Sequence, residues 1–328
     1  MFERKKYKQF AKIQLDNRRA VPLLITLITL GINFILTLPQ TVYTTKALYK
    51  LMEDLPYISN MAPQELLLYY MELLPKSSIF ISYLIAVVST FITAVVTVAS
   101  LNLYLKMSRS PEPVKFSDFI EGFNNWGRAL RGYLWRLLWL FLWGLVGFAI
   151  YMGIILTISI VAGIFASIGV AGEALITSII TIGVIIGLAG LYAPIIIKII
   201  RYSQMYYLIA EFENMPVKKA LNISKKITKG HVWHIIVTYL SFIGWYILCG
   251  LTNNILNLWI TPYISMTFVN VYHALLKEAL EKGIITAEEL KNEPAVKAEP
   301  EKLDKPFEKL EDKTSSTENT STEDGKND

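Results

Sequence analysis

The chain has 328 residues, 53% of them hydrophobic and 18% charged, against roughly 25% charged in a soluble domain. The shortfall gathers in long stretches with no charge at all, which excludes an ordinary soluble core and points to lipid as solvent. The net charge of +5 is uneven: residues 1–276 carry 23 Lys and Arg against 12 Asp and Glu, whereas residues 277–328 carry 9 against 15. The basic residues sit beside apolar stretches, so anionic headgroups rather than nucleic acid are their expected partners.

Residues 1–19 hold seven Lys and Arg and read as a basic cytoplasmic N-terminus. The apolar run that follows has no small-x-small cleavage pattern before Pro39, so it reads as an uncleaved first span over 20–38. Residues 39–77 then form the one sizeable outer loop. Within it Pro63 and Pro75 bracket a segment whose Glu65, Tyr69 and Glu72 share a helical face, which suits a helix lying on the outer leaflet. A second span covers 78–104, with small residues at Ser82, Ala86, Ser89 and Thr93.

Residues 116–133 place Phe116, Phe119, Ile120, Phe123, Trp126, Leu130 and Tyr133 at helical spacing, with Arg128 and Arg131 between them. This is an amphipathic helix fit for the headgroup boundary. Trp135, Trp139 and Trp143 carry the aromatic belt into the next span. From 137 to 197 the only charge is Glu173. As one straight helix that run would reach about 90 Å, so it crosses twice, at 137–161 and 175–197, breaking near 169–173. Gly183, Gly187 and Gly190 lie on one face, the pattern that lets helix backbones approach closely in lipid.

Residues 216–229 open on a proline suited to a first helical turn. Val217, Ala220, Leu221, Ser224 and Ile227 make one face, and Lys218, Lys219, Lys225, Lys226 and Lys229 mark the other. With Arg128 and Arg131, these lysines are the candidate residues for binding anionic lipid or an acidic partner, the apolar face being expected against lipid. Residues 233–276 hold two more crossings, 233–250 and 255–276, broken near 250–254. Asn33, Asn254, Asn257 and Asn270 are expected to bond across helices or to line a polar cavity. Cys249, the only cysteine, reads as a small buried apolar side chain. Residues 277–293 extend the last helix, which breaks near Gly283 and restarts with Thr286 and Glu289 as a capping box. Residues 294–328 are acidic, poor in large apolar side chains and expected to be disordered.

The fold class is therefore all-α: a polytopic membrane bundle of six transmembrane helices with amphipathic interfacial helices and a disordered tail. Its topology follows from charge. Segments 1–19, 106–136 and 198–230 carry seven, six and seven Lys and Arg, while the alternate loops carry three, none and none. The positive-inside rule then places both termini in the cytoplasm. Three helical hairpins, each with a basic lead-in, are the implied repeat.

Motifs that carry chemistry do not appear. There is no P-loop, Gly-x-Ser-x-Gly, His-Glu-x-x-His or dinucleotide-binding fingerprint. His231, His234 and His273 lack metal-ligand spacing, so no metal or cofactor is expected. The expected span interiors hold no Asp, Glu, Lys or Arg, which weighs against ion-coupled pumping.

A resemblance does emerge from Pro194-Ile195-Ile196-Ile197-Lys198, Arg201-Tyr202-Ser203, Ala220-Leu221 with Ser224, Lys229-Gly230 with Trp233, Leu240-Ser241-Phe242-Ile243-Gly244-Trp245 and Pro262-Tyr263-Ile264. Together with the stretch 116–126, these residues resemble the domain of unknown function 975 family of bacterial integral membrane proteins, with Ala193-Pro194 standing where that family usually has Pro-Gly. The resemblance implies a bacterial plasma-membrane protein and supplies no activity. The expected function is a non-enzymatic envelope scaffold or accessory protein working with a membrane or cytoplasmic protein partner. The alternative is a transporter or export component for a lipid-like or amphipathic substrate.

Overall fold

The computed structural model describes residues 2–58, 61–73, 76–168, 172–212 and 215–291. All regular structure among them is helical. The tail expected to be disordered, and part of the expected break at 169–173, lie outside the described residues.

Helix α1 (Arg4–Leu15) is followed by α2 (Ala20–Glu53), the short α3 (Leu55–Ile58) and α4 (Pro63–Leu73). Next come α5 (Lys76–Arg109), α6 (Phe116–Glu121), a 3-10 turn (Gly122–Asn125) and α7 (Trp126–Ser167). The second half holds α8 (Glu173–Arg201), α9 (Met205–Glu211), α10 (Val217–Ile227), α11 (Val232–Leu240), α12 (Ile243–Leu251), α13 (Asn257–Glu281) and α14 (Ala287–Lys291).

Among the described residues, five helical stretches are long and apolar enough to cross a bilayer: Ala20–Glu53, Phe80–Arg109, Phe116–Ser167, Ala174–Glu211 and Val232–Leu251. Large side chains along them face outward, with Ile35 66% and Leu156 64% exposed. Hydrocarbon, not water, solvates such flanks at no cost. The sixth expected span, 255–276, falls on α13, which does not join that set. It carries Pro262, Thr267, Asn270 and His273, all buried, so its composition is that of a helix sheltered by protein.

α13 is the hub. It packs against α1, α2, α5 and α10 and runs back along α11 and α12. His231 Nε2 lies 3.2 Å from Glu278 Oε1, the Tyr239 and Phe268 rings stack at 4.0 Å, and Phe242 meets Tyr263 edge-on at 5.6 Å. The core, including Leu208, Ile209, Leu221, Ile235, Phe242, Met266 and Tyr272, surrounds this hub. It therefore sits where the basic segments converge.

Two expectations are extended here. The basic N-terminus is more than a charge anchor. Tyr7, Phe10, Ala11, Gln14 and Leu15, spaced at i, i+3, i+4, i+7 and i+8, are the buried face of α1, which docks on α13. Lys8 Nζ donates to the Ser241 carbonyl at 3.2 Å and lies 4.0 Å from the centre of the Phe242 ring. It thus serves the carbonyl left where α11 ends. Burial, then the neighbouring Arg4 and Lys12 charges, lowers the Lys8 pKa. Second, the helix that holds the expected first span is longer than that span. α2 continues through Pro39 to Glu53, because one missing N–H does not end a helix whose other backbone bonds remain the best available in lipid.

In the segment between the first two long helices, α4 packs against α2, and the Tyr69 hydroxyl donates to Asp54 at 2.5 Å. The turn after α12 falls where expected. Asn253 and Asn254 take positive φ, 47° and 65°, and the Asn254 amide closes onto the Cys249 carbonyl at 2.8 Å. Asn257 donates to Asn254 at 2.9 Å, and Asn33 donates to the Thr29 carbonyl of its own helix at 2.9 Å. These three asparagines therefore bond within their own segments, Asn33 to backbone and Asn257 to the Asn254 side chain, instead of lining a cavity. Cys249 is buried.

The last helix breaks at Gly283, φ 65°, and the Thr286 hydroxyl accepts from the Glu289 amide at 3.2 Å. Glu289 then accepts from Lys226 at 2.8 and 3.1 Å, tying α14 to α10. The Lys226 ammonium holds the Glu289 carboxyl below its ordinary value of 4.5. A depressed carboxyl pKa contributes above the unfolded value and is lost as pH falls through the folded one. Acidification below about pH 4 is therefore expected to loosen α14. Hydrogen–deuterium exchange at 287–291, corrected for intrinsic rate, should rise in the wild type, whereas Glu289→Gln should be loose already at neutral pH.

Candidate functional site

The residues singled out in the sequence gather around α10, but not as an open lysine face. Ala220, Leu221, Ile223, Ser224 and Ile227 are buried against α9, α13 and α7. The apolar stripe expected against lipid is thus part of the protein core. An amphipathic pattern reports one dry side; it does not say whether lipid or protein keeps that side dry.

The lysines then fall over aromatic rings. Lys218 Nζ lies 5.2 Å from the centre of Trp135. Lys225 Nζ lies 5.1 Å from Trp139 and 5.5 Å from Tyr202. Lys198 of α8 lies 3.7 Å from Trp143. Trp135, Trp139 and Trp143 are four residues apart, hence on one stripe of α7, and each receives one ammonium. Such contacts contribute about 0.5–1 kcal/mol where exposed and more where water is excluded. Burial, then the nearby Arg201 charge, lowers the Lys225 pKa. Lys226 pairs with Glu289, Lys219 is half-buried and its charge also acts on Glu289, and Lys229 lies exposed at the end of α10.

Arg128 is a clamp. Its guanidinium donates to Asn125 Oδ1 at 2.9 Å and to the carbonyls of Phe212 and Met215 at 2.6 and 3.0 Å, fastening the α9–α10 connection to the start of α7. Arg131 donates to the Gly127 carbonyl of its own helix at 3.1 Å. The stretch expected as one amphipathic helix is α6, a 3-10 turn and the first two turns of α7. Phe119 is buried, Phe116 and Trp126 face outward, and Lys106 of α5 binds Asp118 at 3.3 Å and also Glu121.

Gly183, Gly187 and Gly190 all face α7. A Cβ at Gly183 would strike Ile158, one at Gly187 would stand 3.0 Å from the Tyr151 ring, and one at Gly190 would stand 3.0 Å from Ile150.

Apart from Asn270, which bonds across helices as expected, sequence reading missed a polar layer under α13. Glu211, nearly sealed from solvent, binds the Arg109 guanidinium and accepts from the Tyr272 hydroxyl, whose ring stacks on Tyr207 at 5.1 Å. Ser108 Oγ lies 2.9 Å from His273 Nε2 and 2.8 Å from the Leu105 carbonyl, to which it donates. Asn270 donates to Gln14 at 2.8 Å, and Arg18 donates to the carbonyls of Met107 and Ser110 at 3.2 and 2.8 Å, capping the negative end of α5. Apart from Ser108 and Leu105, these partners lie 61 to 256 residues apart, beyond any spacing rule. The one available signal was a carboxylate, Glu211, closing the apolar run that begins at Met205.

The motif residues meet as well. The Arg201 carbonyl at the end of α8 accepts from Ser224 at 2.8 Å and from Thr228 at 3.4 Å, Tyr202 is buried beside them, and Phe242 packs on Tyr263. These residues build the joints that hold α8, α10 and the α12–α13 pair together.

The arrangement is that of a multi-pass helical membrane protein with an internally wired polar end. The chain belongs to the family described as "Protein of unknown function (DUF975)", whose model matches residues 1–279. No curated protein and no solved structure matches it.

Proposed function

We propose that this protein is a non-enzymatic scaffold or accessory component of a bacterial plasma membrane, with both termini cytoplasmic. The observation that carries this reading is the division of the molecule. Its polar groups bind one another in a closed core, whereas the α7–α8 pair presents large apolar side chains along its length. A polar layer spent on internal bonds positions helices, and exposed helical flanks are surfaces for lipid and for other membrane helices. The one buried Ser–His pair also supports this reading, since Ser108 is closed to solvent and no carboxylate orients His273 Nδ1 among the described residues. The shared end of the molecule occupied by α1 and the close of α13 supports placing both termini on one side, and the positive-inside rule makes that side the cytoplasm.

The test is photocrosslinking in intact membranes from the exposed position Ile185, with buried Ala162 as control. One defined protein adduct from Ile185 and none from Ala162 is expected. Adducts to lipid alone, together with catalytic turnover by the purified chain, would overturn the reading. The alternative, a transporter or export component for an amphipathic substrate, is favoured by one observation, an open amphipathic pocket beside α1. Substrate flux through vesicles holding only this chain would establish it.

A further inference from the structure

The end of α1, the start of α2 and the α12–α13 pair enclose an open cavity of about 440 Å³. Two cations, Lys12 and Arg19, line it together with Trp245, Trp259 and aliphatic side chains that include Leu23 and Ile260. No acidic residue lines it; Lys12 Nζ lies 6.0 Å from the centre of the Tyr263 ring, and neither cation forms a salt bridge among the described residues. The turn between α1 and α2, where Asn17 takes φ 54°, brings Lys12 and Arg19 to the same mouth. Trp245 and Trp259 are 41% and 52% exposed, and tryptophan is the side chain enriched where hydrocarbon meets headgroups.

From this we infer that the cavity is a binding site for an anionic phospholipid. Lys12 and Arg19 take the phosphate, and the tryptophans and aliphatic wall take the glycerol and first acyl carbons. The volume suits the headgroup end of a lipid, leaving the chains to run along the exposed apolar side of α12. A free phosphate is a poorer fit, because most of the wall is apolar and its desolvation would go unanswered. This inference does not depend on the scaffold reading and stands or falls by its own test.

The purified full-length protein is titrated with phosphatidylglycerol or phosphatidylcholine carrying brominated acyl chains, and tryptophan quenching is recorded. The wild type should be quenched by phosphatidylglycerol at about tenfold lower mole fraction, as two nearby cations allow. Lys12→Gln with Arg19→Gln should abolish the difference while leaving helical content and melting unchanged, since both side chains are exposed. Trp245→Phe with Trp259→Phe should remove the saturating part of the quench. An equal loss in Lys50→Gln with Lys229→Gln, two lysines away from the cavity, would reveal diffuse charge attraction and overturn the site. So would the absence of any lipid preference. Full competition by millimolar glycerol phosphate would overturn the assignment to a lipid in favour of a soluble anion.

Discussion

Glu211→Ala is expected to lower stability by about 3 kcal/mol, the lower part of the range for breaking a buried ion pair. The side chain is 1% exposed and its partner Arg109 is 24% exposed. Removing the carboxylate leaves a guanidinium and the Tyr272 hydroxyl without their shared acceptor, and the loss comes mainly from those stranded groups. Glu211→Gln should fall between, because an amide oxygen still accepts from Tyr272. Arg109→Met with Glu211→Leu should recover most of the loss, since removing both charges also removes the desolvation they required. Unfolding in mixed micelles measures all three. A Glu211→Ala protein within about 0.5 kcal/mol of wild type, the usual range of a surface change, would mean that the pair behaves as solvated.

Gly147→Ala is the second large effect. A Cβ on Gly147 would run into the Leu191 carbonyl oxygen, with Leu191 C and Cα at 3.2 and 3.4 Å. These are backbone atoms, so α7 and α8 must separate, and about 1–3 kcal/mol is expected for such overpacking. Gly183→Ala meets only the Ile158 side chain, which can change rotamer, so its cost should be smaller although its nominal clash is as close. Gly153, with nothing within 4 Å, should accept alanine without loss. If all three behave alike, the close approach of α7 and α8 is not what the glycines serve.

The helices were legible because their signals are local. A 3.6-residue period, runs without charge and the turn residues at Asn253, Asn254 and Gly283 can each be read within a few positions. The Gly183, Gly187 and Gly190 face was legible for the same reason, although no pattern marks Gly147 as the glycine that meets backbone. The surroundings of α10 were not legible, because its apolar stripe looks the same whether lipid or protein covers it. The lysine–tryptophan stripe was half visible: the tryptophan spacing was plain, but their partners stand on α8 and α10.

By itself, then, the order of residues determined that this is a helical membrane protein with its basic segments gathered on alternate connections, because helix periodicity and hydrocarbon solvation act over short stretches. Only tertiary structure decided that α1 and α10 are core elements, that α13 is a sheltered hub, and that Glu211, Arg109 and Tyr272 form one buried unit. Those outcomes depend on which surfaces meet after the chain has turned back on itself many times, and residues far apart in sequence leave no periodic trace of the contact they will make.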